Sequence, residues 1–329
     1  MNSKAILCLS LILSSMLDCF SAEWKVTLKV VDDNGQPVAD AKVGVGYYEH
    51  SEPASIDGLT DDNGVFKASH NTPAIIAELG FSAEKVGYYK TRPPGVELRN
   101  YDQYKDLSKW NITQTIVLKK IFHPIPMYVN KVDIAHEKKP AFDKPLGFDL
   151  AAGDWVAPYG KGKIAHLFFM WHVDFDTNDV SATYGSRQRF GWETKMIVSF
   201  PNLGDGIQEF DMPGLTEGSE MRSPQIAPTN GYLPNLFKHS GWHPVPQHAI
   251  SADTNSYDSY DHLHKNYLLR VSTVLDEQGH VKSAQYGKIY GDFEEVVWMF
   301  LNPTTNSLDL EFDPKHNLGR GGNSGWPIY

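Results

Sequence analysis

From Trp24 the chain alternates: Trp24, Val26, Leu28 and Val30 fall on one side, Lys25, Thr27 and Lys29 on the other. A period of two is the mark of a strand with one buried face. Val43, Val45 and Tyr47 resume the alternation, with Gly44 and Gly46 opposite them. Further strands are predicted at 58–60, 65–67, 75–81 and 85–89, and at 110–120, where Ile112, Ile116 and Leu118 sit at even spacing. Two turn signatures punctuate this region, Asn34-Gly35-Gln36-Pro37 and Thr60-Asp61-Asp62-Asn63-Gly64. Asn and Gly both tolerate positive φ, so each pair predicts a tight hairpin. No helical periodicity of useful length occurs here, and short strands at regular spacing predict a β-sandwich.

These residues resemble the carboxypeptidase regulatory-like domain, a transthyretin-like (prealbumin-like) fold. That family combines a Gly-x-Pro-Val-x-x-Ala-x-Val start, a Thr-Asp-x-Asn-Gly-x-Phe hairpin, a Lys-x-Gly-Tyr strand and a final apolar strand ending in basic residues. Residues 35–43, 60–66, 85–88 and 116–120 match these in order. The likeness covers about the first third of the chain and departs from the pattern at 91–109, a stretch rich in Pro, Tyr and charge. It implies an accessory or binding module of an exported protein, and it carries no catalytic residues.

Pro124, Pro126, Pro140 and Pro145, with the charged run His136-Glu137-Lys138-Lys139, predict an extended connection over 121–146, since proline neither donates to a ladder nor propagates a helix; a first strand of the next domain at 128–134 is the alternative. Beyond it, 147–329 is again β-rich. Leu167, Phe169, Trp171, Val173 and Phe175 alternate with His166, Phe168, Met170, His172, Asp174 and Asp176. Other strands are expected at 195–200, 267–275 and 281–290, the last two joined by an Asp276-Glu277-Gln278-Gly279 turn. The unbroken apolar run 296–301 suits a strand covered on both faces, and 308–313 alternates as a half-buried strand. Residues 204–231 and 234–259 read as loops, the second long enough to be functional. The expected fold is therefore all-β: a prealbumin-like sandwich over 23–120, then a larger sandwich or jelly-roll-like domain.

The first 22 residues read as an export signal. Lys4 precedes the apolar stretch 5–17, and small residues at Ser21 and Ala22 offer cleavage points. A short uncleaved anchor is the alternative. Both cysteines, Cys8 and Cys19, lie inside this segment, so the exported form is expected to depend on burial and sheet hydrogen bonds rather than disulfides. No later run reaches the ~20 apolar residues of a membrane helix. The formal charge of −10 disfavours nucleic acid and anionic membranes as partners.

Three constellations could carry chemistry. His239, His243 and His248 lie near Trp242, and His262 and His264 follow. In an extended chain His262 and His264 share a face about 6–7 Å apart, and His239, His243, His262 and His264 are the candidate metal ligands. Pro244 and Pro246 oppose a helix there, and no adjacent Glu supplies a hydrolytic base. His172, Asp174 and Asp176 would line up on one strand face as an acid–base pair, a carboxylate pair for glycoside hydrolysis or calcium, or a ligand contact, with Trp242 a further ligand candidate. The same residues also read as the ordinary polar end of a strand, with 176–179 its closing turn. Finally, tyrosines such as Tyr48, Tyr89, Tyr104 and Tyr257 could stack on sugar rings or simply pack.

No nucleophile elbow, phosphate loop or zinc-hydrolase motif is present. The expectation is thus a non-enzymatic exported binding or structural module of the envelope or extracellular space, one that binds carbohydrate or a surface protein or packs within a surface assembly, with no cofactor expected. The alternative is a hydrolytic or metal-dependent enzyme with its site in the C-terminal domain.

Overall fold

The computed structural model describes residues 22–49, 52–72, 78–97, 111–134, 139–184, 187–211, 218–242, 265–291, 293 and 296–320. Among them there are strands and turns but no helix. The chain forms two compact units. The first runs to Lys120 and takes in 218–220; the second begins at Ile121 and holds the rest.

Among its described residues the first unit has seven strands: β1 (Ala22–Asp32), β2 (Lys42–Glu49), β3 (Glu52–Leu59), β4 (Val65–Thr72), β5 (Glu78–Glu84), β6 (Val96–Glu97) and β7 (Asn111–Leu118). They make a three-stranded sheet in the order β4-β1-β7 and a four-stranded sheet β3-β2-β5-β6. The β1–β7 pairing is parallel; the rest are antiparallel. The core takes alternate residues from four strands above all: Trp24, Val26, Leu28 and Val30 from β1, Val43 and Val45 from β2, Leu79 and Phe81 from β5, Ile116 and Leu118 from β7. Burying each large side chain contributes about 1.5–3 kcal/mol, so the alternating pattern fixes which face of each sheet turns inward. Residues 85–88 depart from the expected strand. They form a turn, with Tyr88 N–H donating to Lys85 O, Gly87 at φ +85° and Val86 fully out in solvent.

The hairpin turns also differ from expectation. Only the glycine of each pair has positive φ, +73° at Gly35 and +70° at Gly64, whereas Asn34 and Asn63 do not. The organiser is an aspartate three residues before the glycine. Asp61 Oδ1 accepts the N–H groups of Asn63 (2.9 Å) and Val65 (2.8 Å), while its carbonyl accepts Gly64 N–H (2.9 Å). Asp32 does the same for Asn34, Gln36 and Gly35. In the second unit Asp276 repeats it for Gln278, His280 and Gly279, with no asparagine present. The turn is a three-residue type with one left-handed glycine, capped by a carboxylate. Asp61→Ala removes two amide contacts and is expected to destabilise the first unit by about 1 kcal/mol in urea unfolding. A variant as stable as wild type would mean water replaces the carboxylate at no cost.

The second unit comprises β8 (Ile125–Asp133), β9 (Leu146–Asp149), β10 (Asp154–Trp155), β11 (Leu167–Tyr184), β12 (Arg187–Ser199), β13 (Gly206–Asp211), β14 (Asn235–Trp242), β15 (Lys265–Leu275), β16 (Val281–Tyr290), β17 (Val296–Leu301) and β18 (Phe312–Asn317). A six-stranded sheet runs β13-β15-β16-β17-β8-β18 and a five-stranded sheet β10-β9-β11-β12-β14. Their inner faces share one core that includes Phe148, Phe169, Trp171, Tyr267, Phe293 and Met299. The six-stranded sheet is apolar on its other face too, where Met127, Val129, Tyr290, Trp298, Phe300 and Phe312 cluster. This explains why 297–301 are all buried. Lys288 is buried in the same layer, its ammonium donating to Leu310 O (2.6 Å) and lying 4.9 Å from the ring centroids of Tyr290 and Phe300.

Residues 121–146 are not a plain connection: the alternative strand at 128–134 is present as β8, which starts earlier, at Ile125, and pairs with β17 and β18. Pro126 is tolerated because the β8–β18 pairing is irregular at that point. The expected loops 204–231 and 234–259 contain β13 and β14; β14 escapes the alternation because Lys238 takes a half-buried position, where it donates to the Tyr267 hydroxyl at 3.2 Å. Residues 308–311 are not a half-buried strand: β18 starts only at Phe312. Glu311 is buried because its carboxylate accepts the N–H groups of Phe122 and His123 and the Gln225 side-chain amide. Residues 176–179 are no closing turn, since β11 continues to Tyr184 with an irregular register between Asp176 and Val180. Of the expected export segment 1–22, residues 1–21, with Cys8 and Cys19, lie outside the described residues, and Ala22 opens β1.

Candidate functional site

Register across β11, β12 and β14 builds the site. Met170 pairs with Ile197 and Ile197 with Phe237; His172 pairs with Lys195 and Lys195 with His239; Asp174 pairs with Glu193. Trp171 and Met196 between them are buried in the core, so these rows lie on the outer face. The face thus presents an apolar row, a row with imidazoles flanking an ammonium, and a carboxylate row. Phe237 is 70% exposed. A sheet face turned to water is ordinarily polar, which makes the apolar row the unusual part.

His172 is held at both ring nitrogens. Nδ1 lies 2.5 Å from Asp143 Oδ1 and Nε2 2.9 Å from Asp174 Oδ1. Asp174 Oδ2 is 3.5 Å from Lys195 Nζ. Bonding to Asp143, and then to Asp174, raises the His172 pKa above its ordinary value, while the His172 contact lowers that of Asp174. Two carboxylates on one ring favour the imidazolium, with both N–H groups donating. With a carboxylate on each ring nitrogen, neither nitrogen is left open toward a ligand. Next to it, His239 Nε2 lies 3.3 Å from Glu193 Oε2.

Of the residues expected from sequence, the structure brings His172 and Asp174 into contact and places His239 two strands away in the same row. Trp242 pairs with Trp192 at the end of β14, and Asp176 sits on β11; their side chains lie outside the described residues. His243, His248, His262 and His264 also lie outside them. His239 is on a strand, so the helical i,i+4 geometry with His243 does not start from it. Among the described residues no group of three or more His, Cys, Asp or Glu is placed to hold a metal. Of the stacking candidates, Tyr89 is buried and Tyr48 is 61% exposed.

Sequence reasoning missed Asp143, Lys195, Glu193 and Phe237. It also missed a buried polar centre at the far end of β9. Asp149, at the end of β9, accepts N–H from Ala151 and Ala152 at Oδ1 (both 3.1 Å) and from Lys163 (2.9 Å) and Ile164 (3.2 Å) at Oδ2. Burial pushes its carboxyl pKa up, but those amides and His166 outweigh this and hold it below the ordinary value. Burial pushes His166 down, despite Asp149 nearby. A neutral His166 accepts Leu150 N–H at Nδ1 (3.2 Å), so its 3.5 Å approach to Asp149 is not an ion pair. The signal available in sequence was the small, turn-forming run Asp149-Leu-Ala-Ala-Gly153.

No protein-family model matches the chain, and no curated protein matches it. Among solved structures it is similar to 3-chlorocatechol 1,2-dioxygenase from Rhodococcus opacus 1CP (16% identity over 32% of this chain and 62% of that one, TM-score 0.26). It is also similar to a streptococcal ancillary pilin (12% identity, 51% and 58%, TM-score 0.21) and to a DUF3823 family protein from Parabacteroides merdae (6% identity, 89% and 100%, TM-score 0.21). The chain spans less than two thirds of the length of the first two. TM-scores this low establish neither a shared family nor a shared reaction. No helix among the described residues is long and apolar enough to cross a membrane.

Proposed function

We propose that this chain is an exported, non-enzymatic binding protein whose first unit is a carboxypeptidase regulatory-like module and whose second unit binds envelope or extracellular carbohydrate on the outer face of its five-stranded sheet. One observation carries the reading. Phe237 stands exposed at the end of the Met170–Ile197–Phe237 row, directly beside the His172–Lys195–His239 row. A pyranose ring has an apolar face that stacks on an aromatic ring and hydroxyls that bond both cations and carboxylates at its edge. Such a face offers both in adjacent rows, two residues apart along the strands and so about 6–7 Å from each other. The doubly engaged His172 supports binding over proton transfer.

The test is a glycan array on the full exported chain, followed by calorimetry with its best ligand. Phe237→Ala should weaken binding about tenfold or more, equivalent to about 1.4 kcal/mol, and leave the melting temperature unchanged because the ring is exposed. Binding unaffected by Phe237→Ala would overturn the face. Turnover of a substrate with no glycan retained would favour the enzyme alternative, and capture of a surface protein by this face would replace carbohydrate as the partner.

A further inference from the structure

We propose that Asp143, His172 and Asp174 form a proton-dependent clamp that fastens residues 139–145 to the edge of β11. The segment leads into β9, which itself pairs with β11 only at 167–169. Beyond that point Asp143 takes over the edge. Its N–H donates to Trp171 O at 2.8 Å, and its carboxylate reaches His172 Nδ1. Asp143 has φ +61°, a left-handed conformation that few residues other than Gly, Asn and Asp adopt readily. That backbone state turns the chain so that one residue meets β11 through both its amide and its side chain.

The charges around His172 make the fastening conditional. From the segment it meets Asp143; along its own strand, Asp174; from β12, its register partner Lys195, whose ammonium is 3.5 Å from Asp174 Oδ2. The next strand supplies His239, itself 3.3 Å from Glu193. Lys139, at the segment's start, has its ammonium 5.2 Å from the Trp171 ring centroid. With His172 charged, two carboxylates share one cation. With His172 neutral, only one nitrogen carries a proton, so one carboxylate faces a lone pair and the two anions repel. The sign follows. The His172 pKa is raised in the folded state, so the clamp is complete below the free-imidazole value of about 6.5 and is lost as pH rises through the folded value. Below that window it persists until the carboxylates protonate, and the contact that lowers Asp174 extends it toward acid. Release would bare the edge hydrogen-bonding groups of β11 at Trp171, a surface open to another strand.

The device does not depend on what the outer face binds. It is tested by hydrogen exchange on the full chain, read at the Asp143 amide and divided by the intrinsic rate at each pH. From about pH 6 to about pH 9 the protection should fall about two- to fivefold, the scale of solvent-exposed ion pairs. Amides of the six-stranded sheet, such as Asn302 N–H to Tyr286 O, should not change. His172→Gln should be flat at the level wild type reaches in alkali, and His172→Arg flat at the level it has at about pH 6, where the wild-type ring is charged. The His172 ring should titrate above 6.5 by NMR. Protection that is constant across the range, a parallel fall in the six-stranded sheet, the wild-type profile in His172→Gln, or titration at or below 6.5 would each overturn the clamp.

Discussion

Gly64→Ala is expected to cost the first unit about 3 kcal/mol or more, and Gly35→Ala only about 1 kcal/mol, the cost of a left-handed conformation for an L-residue. The two glycines occupy the same place in the same kind of turn, with φ +70° and +73°. Their surroundings differ. A Cβ at Gly35 would meet nothing within 4 Å, whereas at Gly64 it would lie 2.4 Å from Val30 O, 3.0 Å from Val38 N and 3.3 Å from Pro37 Cα. These are backbone atoms of the first hairpin, and they are already committed. Val30 N–H donates to Gly64 O (2.8 Å), and Val38 N–H to Val30 O (3.0 Å). They cannot shift without breaking those bonds. Thr60 reinforces the junction, its buried hydroxyl donating to Val38 O (2.7 Å) and accepting Ala41 N–H (2.9 Å). Since a domain is stable by only about 5–15 kcal/mol, Gly64→Ala removes a large share. Urea unfolding of both variants, followed by a probe of the first unit, measures the difference. Equal losses would show that contact with the first hairpin contributes nothing and that only φ matters.

Asp149→Ala is the second large effect, a loss of about 3 kcal/mol in the second unit. Four amides converge on the Asp149 carboxylate. Two of them, Lys163 and Ile164, belong to exposed residues and can turn to water, which keeps the loss below four times the single-bond figure. Asp149→Asn should be nearly as damaging, because one carboxylate oxygen becomes an NH2 group facing amide donors. The pH dependence has a definite sign. The folded pKa of Asp149 is depressed, so its contribution is present above the unfolded value of about 3.9 and lost as pH falls through the folded value. His166 adds to this. Buried and neutral, it has a depressed pKa, so the unfolded chain binds a proton first and stability begins to fall below about pH 6.5. Acid unfolding of wild type and Asp149→Ala, followed at the second unit, should show the variant losing the steep carboxylate phase. An Asp149→Ala protein within about 0.5 kcal/mol of wild type, the ordinary scale of surface changes, would make the centre dispensable.

The two effects share a cause that bears on reading the chain. In each, a residue matters through backbone atoms brought to it by another part of the fold. The Asn-Gly pairs marked two hairpins correctly in place, yet the asparagines do not take the left-handed conformation, and the repeated aspartate three positions earlier was the stronger sign. It recurs at Asp276 without any asparagine.

Alternation of side chains was enough to set what is local. It put Trp24, Leu28, Phe169 and Trp171 in cores, turned His172 and Asp174 to the same outer face, and predicted the all-β class that the described residues show. This is legible because pleating sends neighbouring residues to opposite sides whatever the rest of the protein does. Sheet order is not legible in that way. It decided that Asp143 meets His172 from 29 positions away, that Lys195, His239 and Phe237 join the outer face, and that a stretch of four prolines holds a strand paired on both sides. Those contacts depend on which strands choose one another, and that choice is made by the shared burial of faces far apart in the sequence.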